Sequence, residues 1–297
     1  MTPLLQEIRA KWKRRPRDSH KSDFGKIFIL AGSEGFSGAA YLCAQACVRS
    51  GAGLVTLGVP RAIYLAVAKR MAEVMVRPFP STKAGTLAFR SFTEIRKILS
   101  TQDVLALGPG LSRAPETARL VRRLFCFSRS PGVLDADGIN AFEGCSGLLK
   151  KHQASWILTP HAGEFVRIFG GKSPSGKKER IERASRAARD SGLILVLKGA
   201  HTVVASPQGS VYVNPTGNPG MASGGTGDVL TGIIAALLGQ GIAPWDAARF
   251  GVYLHGLAGD LGAGKLGEES LIATDLIDSI PAAIQKIRGR IPCANRR

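Results

Sequence analysis

The run Asn218-Pro-Gly-Met-Ala-Ser-Gly-Gly-Thr-Gly-Asp-Val-Leu-Thr-Gly232 passes from a glycine-rich turn into a segment where Val229, Leu230, Ile233, Ile234 and Leu237 recur at helical spacing. The first N–H groups of a helix have no intrahelical partner, and the helix dipole adds positive potential there. A glycine loop feeding such a helix is therefore an anion site, and Gly224, Gly225 and Gly227 leave the backbone bare enough for a phosphate to reach it. Gly225, Thr226 and Gly227 are the expected anion hole. Asp228 stands where the anion should bind, and two anions repel. Either it caps the helix, as Asp often does, or it is a general base that takes a proton from a hydroxyl attacking a bound phosphate. In the second case the loop N–H groups offset the repulsion by stabilising charge on the transferred group.

Outward from this run, strand-like and helix-like segments alternate. Short apolar or β-branched runs at 26–31, 53–59, 103–107, 133–135, 156–158, 193–197, 202–205 and 211–213 read as strands. The last two flank Ser-Pro-Gln-Gly-Ser, a hairpin signal. Segments 38–50, 115–127, 178–191, 228–238, 243–262 and 274–288 read as helices, the one over 228–238 amphipathic. The alternation predicts an α/β fold, a mostly parallel central sheet with helices on both faces. No Pro/Ser-rich linker divides the chain. One domain is expected over 21–290, between a basic arm (1–20) and a basic tail (291–297).

In open α/β sheets ligands bind beyond the carboxyl ends of the strands, so residues following strands are the candidates. Gly32-Ser-Glu-Gly-Phe-Ser-Gly38-Ala-Ala40 and Gly108-Pro-Gly110 can present backbone donors to a polar ligand, or be ordinary turns. Asp135 and Asp137, with Asn140, put two carboxylates at a strand end. Beside a nucleotide that suggests Mg²⁺, although one of them can simply cap the next helix. Thr159-Pro-His161-Ala-Gly-Glu164 follows another strand; Thr159 with Glu164 can partly be helix capping, while His161, beside Pro160 and three before Glu164, is a ligand candidate. His152, His201 and His255 read as structural histidines. Lys198-Gly199-Ala200-His201-Thr202 is either a phosphate-pairing segment or a charged turn. No G-x-x-x-x-G-K-[ST] occurs. Gly262-Ala-Gly264-Lys-Leu-Gly267 follows a helix, the wrong setting for a dinucleotide fingerprint.

The chain has 297 residues, 44% of them hydrophobic, enough for a large core. Its 40 Lys and Arg against 22 Asp and Glu give a net charge of +18, a field that attracts polyanions. The charge gathers near residues 11–21, 172–189 and 286–297, as solvated faces commonly do, and only Trp12 interleaves with it. A nucleic-acid module is thus the weakest reading. Five cysteines, with no C-x-x-C, read as reduced core residues. There is neither a membrane-spanning apolar run nor a secretory h-region, so a cytoplasmic protein is expected.

Taken in order, His20-Lys21, Gly25-Lys26, Ala31-Gly32-Ser33, Ser37-Gly38-Ala39-Ala40, Arg49-Ser-Gly-Ala-Gly-Leu54, Leu107-Gly-Pro-Gly110, Asp135-Ala-Asp137 with Asn140, Thr159-Pro-His161 with Glu164, Lys198–Thr202 and Gly224-Gly-Thr-Gly-Asp228 resemble the carbohydrate-kinase-related domain of the NAD(P)H-hydrate dehydratases. The likeness implies a ribokinase-like three-layer sandwich. It also implies a lyase of metabolite repair acting on the S epimer of NADHX or NADPHX, the C6-hydrated forms of NADH and NADPH. A nucleotide phosphorylates the added hydroxyl, and phosphate then leaves with help from the ring nitrogen. Bacterial single-domain members of this kind use ADP and eukaryotic ones ATP, so ADP is the expected donor, with Mg²⁺. By position, Asp228 matches the catalytic aspartate, which also touches substrate. Ala40, Gly110 and His161 match substrate positions. Lys198, Gly199, Ala200, His201, Thr202 and Gly227 match nucleotide positions, and Asp135, Asp137, Asn140 and Glu164 are possible supporting residues. A homo-oligomer, a tetramer by resemblance, and a separate epimerase are also implied. Ala162 and Gly138 depart from an expected Pro and Ala without removing a functional group. A small-molecule kinase of the same fold, such as a hydroxymethylpyrimidine or hydroxyethylthiazole kinase, would share the loop and Asp228.

Overall fold

Short strands that are apolar on both faces can be buried only in a sheet covered on both sides. The strand Lys26–Leu30 illustrates this: Ile27 and Ile29 enter one core, Phe28 and Leu30 the other. The computed structural model describes residues 3–289. In chain order the elements are α1 (Pro3–Lys11), β1 (Lys26–Leu30), α2 (Ser37–Arg49), β2 (Leu54–Pro60), α3 (Tyr64–Ala68), β3 (Met75–Phe79), α4 (Phe92–Leu99), β4 (Val104–Leu107), α5 (Pro115–Phe127), β5 (Gly132–Leu134), α6 (Ala136–Asn140), β6 (Trp156–Leu158), α7 (Ala162–Phe169), α8 (Gly176–Ser191), β7 (Ile194–Leu197), β8 (Val203–Ala205), β9 (Val211–Val213), α9 (Thr226–Gly239), α10 (Pro244–Leu266) and α11 (Ala273–Ile287).

The strands form one sheet in the order β3-β2-β1-β4-β5-β6-β7-β8-β9. From β3 to β7 neighbours are parallel, and β8 and β9 close the far edge as the expected antiparallel hairpin. The three-layer α/β expectation holds. β3 has no counterpart among the expected strands. It is an edge strand with Pro78 and alternate residues exposed, so its apolar signal is weak.

The two cores differ in texture. One, under α4, α5 and α8, is aromatic, with Phe79, Phe125, Phe142 and Trp156 buried. The other, under α2, α9, α10 and α11, is built from small and β-branched residues. There the helices meet backbone to backbone: a Cβ on Gly232 of α9 would collide with the carbonyl of Cys43 on α2. The stripe Ala40, Cys43, Ala44, Cys47 is that contact surface. For the same reason α9 is not amphipathic. Every residue from Val229 to Leu238 is buried, the mark of a helix enclosed on all sides.

The basic arm also differs from expectation. Within it, α1 lays Ile8, and Trp12 just beyond it, into the small-residue core. Trp12 Nε1 donates to Gln240 Oε1 at 2.9 Å. Lys11 pairs with Asp246 at 2.6 Å, and Arg249 pairs with Glu7 at 2.6 Å and with Asp246. The expected basic tail lies outside the described residues. Gly262 and Gly264 lie within α10 and Gly267 caps its end, so the stray glycine fingerprint is a helix terminus.

Candidate active site

All the parallel strands end on one edge, and the order reverses between β1 and β4. That is the switch point where such sheets open a crevice. The turns after β1 and β4 lock together there. Gly32 N donates to Pro109 O at 2.8 Å, and Ser33 Oγ donates to Gly110 O at 2.8 Å. Two expected ligand positions lie at this lock: Ala40 is fully buried beneath Gly32, and Gly110 is buried against Ala39 and Phe36. Both shape the floor. The surface offered at this point is Phe36, 57% exposed.

Further along the edge, the ends of β5, β6 and β7 converge on α9. Asp135 follows β5 and is buried. Its Oδ1 accepts from Lys198 Nζ at 2.7 Å and its Oδ2 from Thr231 Oγ1 at 2.7 Å. One carboxylate thus ties the end of β7 and the second turn of α9 to the end of β5. Thr231 is absent from the sequence-derived candidates. Its signal is a hydroxyl within the apolar stretch Val229–Leu238, three residues after Asp228.

His161 caps α7, with Nδ1 accepting from Gly163 N at 3.0 Å and Glu164 N at 3.3 Å. Glu164 reciprocates by accepting from His161 N at 2.8 Å and lies 3.9 Å from Lys198 Nζ. This is a capping box, with the His161 ring half exposed at the rim. Asp137 accepts from Ser112 N at 2.9 Å and Asn140 Nδ2 at 3.1 Å, while Asn140 Oδ1 accepts from Arg167 Nε at 3.0 Å. Asp135, Asp137 and Glu164 are thus all engaged by internal donors, and no His/Cys/Asp/Glu cluster suited to a metal occurs among the described residues.

Asp228 sits in the first turn of α9. Gly225 is the residue before the helix, at φ +89°, a conformation glycine adopts freely. A side chain on Gly227 would stand 3.3 Å from Lys198 Nζ, so only glycine leaves that approach open. Thr226 uses its hydroxyl on Met221 O and Ser223 O, both at 3.0 Å, and so braces the loop. Burial, then the negative charge of Asp135, push the Asp228 carboxyl up to about 7, against the pull of Lys198. Burial alone would lower the Lys198 pKa, but Asp135 and Glu164 outweigh it and raise it. Glu164 is raised too, mainly by burial. For His161, burial and then Lys198 act in the lowering direction.

A cavity of about 470 Å³ opens beside the loop, of a size that holds a small ligand. Its walls are Lys198–Thr202, residues 214–219, Met221 and Ala222, Thr226 and Gly227 of α9, and Val252, His255 and Gly256 of α10. The 198–202 turn is strained: His201 has φ +53°. Thr202 Oγ1 closes it on Gly199 O at 3.0 Å, and Arg180 of α8 holds it from behind through Leu197 O at 3.0 Å and Lys198 O at 3.3 Å. Asn214 and Thr216 are absent from the sequence-derived candidates, Arg180 reads there as part of a basic face, and His255 as a structural histidine. They are isolated polar residues whose roles depend on distant partners.

The arrangement joins an anion-binding helix start, a cavity beside it, and a carboxylate poised to move a proton. Comparison with known proteins agrees. The family model for NAD(P)H-hydrate dehydratase, of the carbohydrate-kinase type, matches residues 27–282. The bifunctional NAD(P)H-hydrate repair enzyme Nnr of Moorella thermoacetica is 43% identical over 283 residues, covering 95% of this chain and 53% of that protein. The chain therefore spans about half the length of the curated relatives it matches. The crystal structure of the ADP/ATP-dependent NAD(P)H-hydrate dehydratase from Bacillus subtilis, co-crystallised with ATP/Mg²⁺, superposes with a TM-score of 0.81 at 30% identity, covering 95% of this chain and 97% of that one. A ribokinase-like superfamily protein from Enterococcus faecalis superposes with a TM-score of 0.80 at 27% identity, covering 96% and 94%. With most of its length matched in sequence and in fold, this chain belongs to the NAD(P)H-hydrate dehydratase family.

Proposed function

We propose that this chain restores NADH and NADPH from their C6-hydrated S epimers, at the expense of a nucleotide. The observation that carries the reading is Asp228, a carboxylate at the anion-binding start of α9 whose proton is held to about neutral pH. A base with that pKa is matched to taking the proton of the C6 hydroxyl as its oxygen attacks the terminal phosphorus of the nucleotide. The new O–P bond forms, the bond to the nucleotide's remaining phosphate breaks, and the proton rests on Asp228. The N–H groups of the first turn of α9, with Lys198, stabilise the charge on the transferred group. The C6–O bond then breaks, with the ring nitrogen supplying electrons and phosphate leaving. Loss of a proton from C5 completes the restored double bond.

In this reading the nucleotide occupies the cavity between the 198–202 turn and α10, and the hydrated dinucleotide lies at the switch-point crevice with His161 at its rim. ADP is the donor, on resemblance, with ATP the alternative. Mg²⁺ accompanies the nucleotide phosphates rather than a carboxylate cage of the protein. A homo-oligomer, a cytoplasmic setting and an epimerase feeding the S epimer belong to the same proposal.

The test is recovery of near-ultraviolet absorbance from epimer-mixed NADH hydrate with Mg²⁺ and either ADP or ATP, against a nucleotide-free control. Recovery that requires nucleotide supports the reading and identifies the donor. Folded protein that binds nucleotide, restores nothing, and instead makes a stable phosphate ester from another alcohol would replace it with a small-molecule kinase.

A further inference from the structure

His255 lies on α10 against the cavity, and its Nε2 is 2.8 Å from the carbonyl oxygen of Thr226. A carbonyl oxygen only accepts, so Nε2 carries the hydrogen. In a neutral imidazole the other nitrogen, Nδ1, is then a bare acceptor. The ring does stay neutral. Burial, aided by Lys198, lowers its pKa to about 4, although the bond to Thr226 works the other way. Among the described residues, buried side-chain polar atoms without a partner are confined to Ser50, Trp156, Arg180 and Arg249. Nδ1 of His255 is not one of these sealed atoms, yet its ring makes a side-chain hydrogen bond only through Nε2, so Nδ1 is open, and the open side of the ring is the cavity.

The polar side chains around it are committed to the wall. Asn214 donates to Val252 O and Thr216 O, both at 3.1 Å. Thr216 Oγ1 donates to Tyr253 O at 3.0 Å, and Asn218 Nδ2 donates to Asp260 Oδ1 at 3.0 Å. His255 is thus a fixed acceptor, oriented by the same helix turn that forms the anion hole, and it faces a space that must hold whatever is attached to the bound phosphate.

We infer that His255 reads the nucleoside, its Nδ1 accepting a hydrogen bond from a donor on that half of the nucleotide, either the exocyclic amine of adenine or a ribose hydroxyl. The inference rests on the reading above that the cavity takes a nucleotide. Where the matching donor is absent, Nδ1 is left unpaired, and a 6-oxo base would bring a second acceptor against it.

The experiment measures KM and kcat for the adenine nucleotide, its inosine counterpart, and its 2′-deoxy and 3′-deoxy forms, in wild type and in His255→Phe. In wild type, the analogue lacking the partner donor should show a KM raised about three- to tenfold with kcat little changed. In His255→Phe that ratio should collapse towards one, and the analogue that loses its penalty identifies amine or hydroxyl as the donor. A merely structural histidine would raise all four KM values together and leave their ratios intact, and that result overturns the inference. Should His255→Phe fail to fold, calorimetric affinities of wild type for the four nucleotides decide alone, and equal values overturn it. Wild type that binds none of them overturns the nucleotide assignment itself, a separate failure.

Discussion

Two clusters of charge in this molecule, one half open to solvent and one buried, use the same residue types to opposite ends. Where α1 meets α10, two carboxylates, Glu7 and Asp246, face two cations, Lys11 and Arg249. Burial works against the Asp246 carboxylate, but hydrogen bonds from Lys11 and Arg249 outweigh it and hold its pKa below the usual value. At the carboxyl edge of the sheet, the carboxylates Asp135, Glu164 and Asp228 share the cation Lys198, with Arg167 adding its pull at Glu164. Asp135 takes Lys198 at 2.7 Å, and Asp228 is left with its pKa pushed up to about 7. Matched charge makes a clasp. Burial, a like charge beside it and only a shared cation make a proton acceptor of Asp228, which is how perturbed carboxylates come to mark functional sites.

The largest effect that would sharpen the contrast is at Asp228. Asp228→Asn should lower kcat by about 10²–10⁴-fold in the absorbance assay, with nucleotide binding still measurable by calorimetry. The same variant should melt at a higher temperature. A carboxylate whose folded pKa is raised destabilises the fold progressively as pH climbs from its ordinary value through about 7, and Asn removes that penalty. The gain at pH 8 should be on the order of 1–3 kcal/mol. Full activity in Asp228→Asn would break the comparison outright.

Next comes the clasp. Trp12→Ala empties a buried site and should lower stability by about 3 kcal/mol in urea unfolding while leaving kcat where it was. A loss of activity at a temperature where the variant is folded would show that the clasp is not merely structural.

Smaller still is a shift in pH dependence. Activity needs Asp228 ionised, so kcat/KM should rise with pH through an acid limb near 7. Asp135→Asn removes a negative neighbour and frees Lys198. Both changes lower the Asp228 pKa, so the limb should move down by on the order of one pH unit. An unmoved limb in a variant that still turns over would assign the raised pKa to burial alone. The smallest effect expected is Glu7→Gln. Glu7 is partly exposed, so its pairing with Arg249 should contribute only about 0.5 kcal/mol, seen as a small change in melting temperature.

Much of the fold is legible in the residues. Apolar runs such as Ile27–Leu30 and Ile194–Leu197, separated by helical periodicities, indicate a sheet buried on both faces, and Ser-Pro-Gln-Gly-Ser marks the hairpin of β8 and β9. The glycine loop and Asp228 stand out because their chemistry is local: a turn, a helix start and one carboxylate lie within five residues. β3 escaped because an edge strand shows little apolar pattern, and α1 because short basic helices look like solvated tails until a core receives them. The enclosed α9 was read as amphipathic because spacing shows where apolar residues recur, not how many neighbours will cover them.

Legible from near neighbours are therefore the alternation of elements, the anion-binding loop, and the family likeness that several such motifs in order carry, whereas the cap of α7 falls on His161 and not on Thr159. Which distant groups share a charge or a hydrogen bond is settled by the folded chain alone. Asp135 and Thr231 are 96 positions apart, Lys198 and Asp135 63 apart, and His255 and Thr226 29 apart. They meet because strand order brings the end of β5 under α9 and that of β7 under α10, which packs beside α9. A pKa, a tautomer and an open acceptor are properties of that meeting, since each depends on burial and on charges a few ångströms away.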